Sequence, residues 1–134
     1  MAKIIAVCLS QEKGSKKQPI SQGFLKENYG LVGDAHAGSS RQVSLLAMES
    51  IDRMRAQGIE IAPGDSAENL VIKGVDLVSL RPGTRIYVGK DVILEITQIG
   101  KEYDHPEFRL LAQEGIFARV VRRGMVKPGD SLRA

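Results

Sequence analysis

The chain has 134 residues, of which 43% are hydrophobic and 26% are charged, and its formal net charge is +3. These values predict one globular domain, residues 1–134, and a charge this small argues against a nucleic-acid-binding protein. The lone cysteine, Cys8, excludes an internal disulfide and a multi-cysteine zinc site. The first apolar run, residues 4–9, is too short for a signal peptide or a membrane span, so a cytoplasmic protein without membrane contact is expected.

Two apolar runs in the first half of the chain predict β-strands, over residues 3–10 and 42–46. Strand alternation places Cys8 on one face with Ala6 and Ile4, where a small thiol is typical of a buried core position. Between the two strands the sequence is polar and rich in glycine, which indicates loops. The one local basic cluster is predicted to be a solvated loop; its members are Lys13, Lys16 and Lys17.

Helical spacing of apolar residues over 48–54 predicts one helix, which Gly58 is placed to end. Residues 84–99 predict a hairpin with its turn at 89–91, and residues 116–126 predict a second pair of neighbouring strands. Many short strands, frequent glycine turns and a single helix indicate a mainly β fold. We expect a twisted, partly closed β-barrel with one or a few short α-helices.

A loop bracketed by glycines contains Asp34 and His36, and Arg41 and Gln42 follow it directly. A histidine beside a carboxylate can carry a proton or contact an anion. Arginine can bind a phosphate or a carboxylate through two parallel hydrogen bonds. The alternative interpretation, a turn that Asp34 stabilises and in which the histidine is incidental, stays open.

Further polar side chains stand at the ends of predicted strands. Glu68 and Asn69 directly precede an apolar run, where the carboxylate can act as a base and the amide can both donate and accept. Taken alone, this motif favours the alternative, a polar turn that leads into a strand. Alternation from Leu94 and Ile96 places Gln98 on the inward face of its strand. An amide there must find hydrogen bonds, at the rim of the barrel or in a cavity.

Taken in order, several motifs of this chain resemble the MOSC family, named for the C-terminus of molybdenum cofactor sulfurases. Each motif is short, but together they cover nearly the whole chain. They are GLVGDAHAG (30–38), RQVSLL (41–46), PGDSAENL (63–70), LEITQIGKE (94–102) and EGIFARV (114–120), followed by Gly129 and Asp130.

The resemblance implies a MOSC-type β-barrel that binds the molybdenum–pterin cofactor or carries sulfur for metal–sulfur centres. It also implies a molybdoenzyme or a cofactor-biosynthesis protein as partner.

The family's sulfur carrier or molybdenum ligand is a cysteine after the Gly-Lys-Glu segment. Here Tyr103-Asp104-His105-Pro106 follows that segment, without a cysteine. Neither Tyr nor Asp can form a persulfide or act as a soft ligand. Pyridoxal phosphate chemistry belongs to another domain of the sulfurases and is not expected in this chain.

Two functional hypotheses follow. The first is a binding module that holds a molybdenum–pterin cofactor or a related anionic molecule without sulfur transfer. Its binding side chains are predicted to converge on one pocket at the barrel rim; they are His36, Arg41, Gln42, Asn69 and Gln98. The second is a small enzyme that uses Asp34, His36 and Glu68 for acid–base chemistry. A nucleic-acid-binding barrel is disfavoured because aromatic stacking residues are scarce. No metal site is expected.

Overall fold

The computed structural model describes residues 2–12, 15–99 and 115–134, and it describes only the backbone of residues 98 and 99. Within these ranges the mainly β fold is confirmed. The helix α1 spans Met48–Ala56, and a 3-10 turn spans Leu77–Ser79. The strands are β1 (Lys3–Leu9), β2 (Gln18–Ile20), β3 (Gly23–Lys26), β4 (Gly30–Leu31), β5 (Val43–Ala47), β6 (Leu70–Lys73), β7 (Arg85–Val88), β8 (Val92–Ile99), β9 (Ile116–Arg122), β10 (Gly124–Val126) and β11 (Leu132–Arg133).

Eight strands form one sheet in the order β11-β7-β8-β9-β5-β6-β1-β2, and β10-β3-β4 form a second sheet. β5 and β6 are parallel, with α1 between them in the chain. Across the described strands neither sheet closes into a barrel, so the predicted partial closure stays a prediction. The start of β1 nevertheless meets the segment before β11, through a bridge between Lys3 and Ser131 and two backbone hydrogen bonds of 2.8 Å at Ile4.

The two faces of the large sheet carry separate apolar cores. The smaller one contains Cys8 and Phe117 and packs against Ile51 of α1. A register shift in β1 places Ile4 in the larger core and Ala6 beside Cys8 in the smaller one. The prediction that all three share a face is therefore wrong, because a bulge resets the alternation of the strand.

The predicted end of the helix is confirmed. Gly58 has a φ of 87°, which favours glycine. Its N–H donates to the carbonyl of Arg55, and the N–H of Ile59 donates to the carbonyl of Met54. This is the Schellman arrangement, which satisfies the last carbonyl groups of a helix.

The hairpin of β7 and β8 is confirmed, with Val88 opposite Val92. The second predicted pairing is wrong, because β10 pairs with β3 and not with β9. Only Arg123 separates β9 from β10, and even the tightest common hairpin needs a two-residue loop. The chain therefore passes from one sheet into the other at this point. No helix in the described part of the chain is both long and apolar enough to cross a membrane.

Candidate functional site

A buried ion pair joins two loops at the end of β1. Lys17 Nζ lies 2.8 Å from Asp34 Oδ1, and both side chains are almost completely buried. Ser10 donates its backbone N–H to Oδ1 of the same carboxylate. The prediction of a solvated lysine loop is wrong for Lys17, since Asp34 provides the countercharge that burial requires. It is right for the exposed Lys16, and Lys13 lies outside the described residues.

Asp34 is held as a carboxylate. Burial by itself raises the pKa of an acid, but the hydrogen bond and the positive charge of Lys17 act in the opposite direction, as do the backbone N–H groups of Ser10 and His36. The pKa of Asp34 is therefore lowered from its ordinary value. At neutral pH the group serves as a counter-ion and a hydrogen-bond acceptor, and it is poorly suited to act as a general base.

The turn after Asp34 is held by bonds between side chains and the backbone. The backbone N–H of His36 donates to Asp34 Oδ2 at 3.1 Å. Ser39 Oγ donates to the carbonyl of His36 at 2.6 Å and accepts the N–H of Arg41 at 3.1 Å. His36 Nδ1 lies 3.3 Å from Lys17 Nζ, and 25% of the His36 side chain is exposed. His36 and Arg41 are thus positioned together just before β5.

Glu68 is buried completely in the neighbouring loop, where it accepts the N–H groups of Gly64 and Ser66 at 2.9 and 3.1 Å. Burial raises its pKa to about 7, although these hydrogen bonds favour the charged form. A pKa near neutrality suits a general acid or base. Both oxygens are nevertheless bonded inside the loop, so the geometry favours a structural role for Glu68.

Gly64 allows the Glu68 loop to lie against the Lys17 segment. The N–H of Lys17 donates to the carbonyl of Gly64 at 2.9 Å. The φ of Gly64 is 92°, and a Cβ atom there would overlap the carbonyl oxygen of Lys17. Only glycine tolerates both conditions. The Pro63-Gly64 pair indicates a turn here, but nothing in the sequence indicates that the Lys17 segment packs against it.

Asn69 and Gln42 connect strands. Asn69 Oδ1 accepts the backbone N–H and the hydroxyl of Ser44, each at 3.1 Å, and its Nδ2 donates to the carbonyl of Cys8 at 3.1 Å. Gln42 Oε1 accepts the N–H of Val120 at 3.1 Å. These contacts give both amides a role in bracing β5 against its neighbours, which the sequence does not indicate.

Of the five side chains that were predicted to converge on one pocket, the structure describes four. His36 and Arg41 share one turn, whereas the side chains of Gln42 and Asn69 hold neighbouring strands together. The side chain of Gln98 lies outside the described residues. The alternation that placed it inward is interrupted, since a register shift separates Ile96 from Gln98 in the pairing of β8 with β9. The segment 100–114, with His105, also lies outside the description.

Cys8 is buried, as predicted. Burial, reinforced by the nearby Glu68, raises the pKa of its thiol to about 12, and the charge of Lys17 opposes this only in part. The thiol is therefore protonated and shielded from solvent. Both properties make it a poor nucleophile and a poor sulfur acceptor.

We expect Cys8 to react slowly with a thiol reagent in the native protein and rapidly in denaturant. Because the chain has one cysteine, the colour released by an aromatic disulfide reagent reports on this residue alone. Fast labelling of the native protein, or a persulfide adduct after incubation with a cysteine desulfurase, would restore the sulfur-carrier hypothesis.

The comparisons with known proteins agree on the fold. The structure is similar to YuaD from Bacillus subtilis, with a TM-score of 0.79 and 20% identity over 98% of this chain and 94% of that one. It is also similar to YiiM from Geobacillus stearothermophilus (TM-score 0.75, 14% identity, 98% and 74% covered) and to YiiM from Escherichia coli (TM-score 0.67, 16% identity, 98% and 68% covered). No curated protein sequence matches the chain. The model of the MOSC domain matches residues 32–133. This match spans most of the sequence, and the chain therefore belongs to the MOSC domain family.

Proposed function

We propose that the chain binds a small anionic ligand, a molybdenum–pterin cofactor or a related phosphorylated or carboxylated molecule, through His36 and Arg41. The observation that carries this proposal is the anchored turn of residues 34–41, whose backbone is bonded to the side chains of Asp34 and Ser39. A turn that is already ordered presents its side chains at little further cost in conformational entropy. Membership of the MOSC family supports the cofactor class.

The described residues fit the anionic part of such a cofactor. Arg41 offers a planar fork for a phosphate or carboxylate, and His36 offers an imidazole. In the adjacent loop the hydroxyl of Ser66 is buried, and no partner for it occurs among the residues described. An unsatisfied buried hydroxyl costs about 1–3 kcal/mol, which makes it a candidate contact for a ligand oxygen.

The same residues do not fit the metal. In the described ranges no group of three or more His, Cys, Asp or Glu side chains is placed to hold an ion. The thiol of Cys8 is protonated and buried, whereas a soft metal centre requires a thiolate. We therefore assign these residues to binding of the ligand's anionic groups and propose that Cys8 carries no sulfur.

The acid–base enzyme is the second candidate, because Glu68 has a pKa of about 7. Its support is weaker, since Glu68 is completely buried and Asp34 is held as the partner of Lys17. A catalytic base must come within hydrogen-bond reach of a substrate proton. His36, which is partly exposed, is the member of this set that a substrate can approach directly.

We also propose that the large sheet forms the wall of a partly closed barrel in a single domain. The support is the contact between β1, next to one edge strand of this sheet, and the segment that leads into β11, the other edge strand. There Ile4 exchanges backbone hydrogen bonds with Gly129 and Asp130. In a barrel of this kind the start of β5 would lie at the rim, next to the turn that contains His36 and Arg41.

We expect Arg41→Ala to weaken the binding of inorganic phosphate about tenfold or more, because a charge-assisted contact contributes roughly 1.5–3 kcal/mol. Isothermal titration calorimetry on the wild type and the variant measures this change. Arg122→Ala, at the exposed end of β9, removes the same charge and should leave the affinity unchanged. A variant that loses thermal stability but retains the wild-type affinity would show that Arg41 only fixes the loops.

The ligand itself can be identified by native mass spectrometry of the protein purified from its own host. A retained phosphorylated pterin would support the cofactor class. A retained compound without any anionic group would contradict the proposal.

A further inference from the structure

Lys17 is a buried charge beside His36, one of the proposed ligand contacts, and its ammonium group faces two acceptor atoms. Nζ lies 2.8 Å from Asp34 Oδ1 and 3.3 Å from His36 Nδ1. Lysine can only donate hydrogen bonds, so the nitrogen that faces it must present a lone pair. Nδ1 of His36 therefore accepts from Lys17.

The tautomer of His36 follows from this contact. A neutral imidazole has one N–H and one lone pair. With the lone pair on Nδ1, the ring proton is on Nε2. An additional proton on Nδ1 would point at the ammonium group, which repels it. Asp34 completes the arrangement, because its carboxylate holds both the ammonium group and the backbone N–H of His36.

Without Lys17 the preference between the two tautomers of His36 would change. Asp34 Oδ2 lies 3.8 Å from His36 Nδ1, slightly beyond hydrogen-bond distance. If the ammonium group is removed, this carboxylate is close enough to become the acceptor for a proton on Nδ1. A small rotation of the ring would then join the two groups, and Nε2 would become the acceptor nitrogen.

We infer that Lys17 is a positioning residue that keeps the ring proton of His36 on Nε2, which makes this nitrogen a hydrogen-bond donor. The matching ligand group is an oxygen acceptor, such as a phosphate, carboxylate or carbonyl oxygen. The second statement rests on the proposed function, whereas the tautomer does not. A protonated amine of a ligand would find no acceptor at this nitrogen.

The tautomer can be measured directly by ¹⁵N NMR of protein labelled at its two histidines, with His105→Gln to assign the signals. In the wild type we expect Nδ1 to show the shift of an unprotonated ring nitrogen and Nε2 that of an N–H. A wild-type spectrum with the proton on Nδ1 would overturn the inference, and this result requires no variant to fold.

Lys17→Met then tests the cause. We expect the two nitrogen signals to exchange character, with the proton on Nδ1 beside Asp34. Lys16→Met removes the same charge from the adjacent exposed residue and should keep the wild-type pattern. A folded Lys17→Met protein with an unchanged tautomer would show that Lys17 stabilises the loops without positioning His36, and would refute the inference.

Titration with inorganic phosphate tests ligand binding separately from the tautomer of His36. In the wild type, phosphate should shift the Nε2–H signal of His36, and the change should saturate. Should the tautomer be as inferred while phosphate has no effect, the proposed ligand class fails and the positioning role of Lys17 stands. Should phosphate bind while the proton lies on Nδ1, the binding proposal stands and the inference fails.

Discussion

Replacing Asp34 with Ala should lower the free energy of unfolding by about 3–5 kcal/mol, because the change leaves the Lys17 ammonium group buried without its countercharge. The side chains of both residues are almost fully inaccessible to solvent. The substitution also removes the acceptor for the N–H groups of Ser10 and His36. Urea unfolding followed by far-UV circular dichroism measures the loss.

The exposed Asp52 of α1 provides the control for this experiment. Asp52→Ala removes the same charge from the surface of the helix, and we expect a change within about 0.5 kcal/mol. If Asp34→Ala also changes the free energy of unfolding by no more than about 0.5 kcal/mol, the ion pair with Lys17 contributes no net stability. The stability that Asp34 carries should be present above its ordinary pKa of 3.8 and be lost as the pH falls through its lowered folded value.

Glu68 should make the protein less stable as the pH rises, whereas Asp34 makes it less stable as the pH falls. Its pKa is about 7 in the folded state and 4.5 ordinarily. Between these values the unfolded chain releases the proton and the folded chain retains it, so deprotonation favours unfolding. The stabilising contribution is complete below 4.5 and is lost as the pH rises through about 7. Its full size is about 3 kcal/mol, from 1.36 kcal/mol per pH unit.

Glu68→Gln removes the titrating group and should abolish this dependence. We expect the stability of the wild type to fall between about pH 4.5 and about pH 7, whereas that of the variant stays flat apart from a constant offset for a weakened hydrogen bond. Denaturant unfolding at several pH values measures both curves. Glu60→Gln, at an exposed position, should follow the wild type. Parallel curves for Glu68→Gln and the wild type would mean that Glu68 does not titrate in this range.

The sequence predicted those elements whose signals are local. An unbroken apolar run predicted β1, and Gly58 predicted the end of α1. It failed where the outcome depends on distant partners. The bulge in β1 reverses the facing of the side chains that follow Ile4, and a register shift separates Ile96 from Gln98 in β8. No local pattern in the sequence indicates either irregularity. The pairing of β10 with β3 joins segments that are far apart in the chain.

The candidate site shows the same division. His36 and Arg41 were found because glycines and a carboxylate precede them in sequence. Lys17 was placed in solvent because its partner, Asp34, belongs to a different loop. Asn69 was recognised as a polar group at the edge of a strand, but its acceptors and donors in β1 and β5 could be located only in three dimensions.

The contact between β1 and the last described segment also affects the order of folding during synthesis. The backbone of Ile4 bonds to Gly129 and Asp130, and Leu132 donates to Ala2. A ribosome makes β1 before these partners, and most of the described chain lies between them. β1 can pair with β6 during translation, but its other contacts must wait until residues 129–132 have emerged. Such non-local pairing slows folding. Until those residues have emerged, the nascent chain therefore exposes an incomplete sheet edge, to which chaperones or other chains can bind.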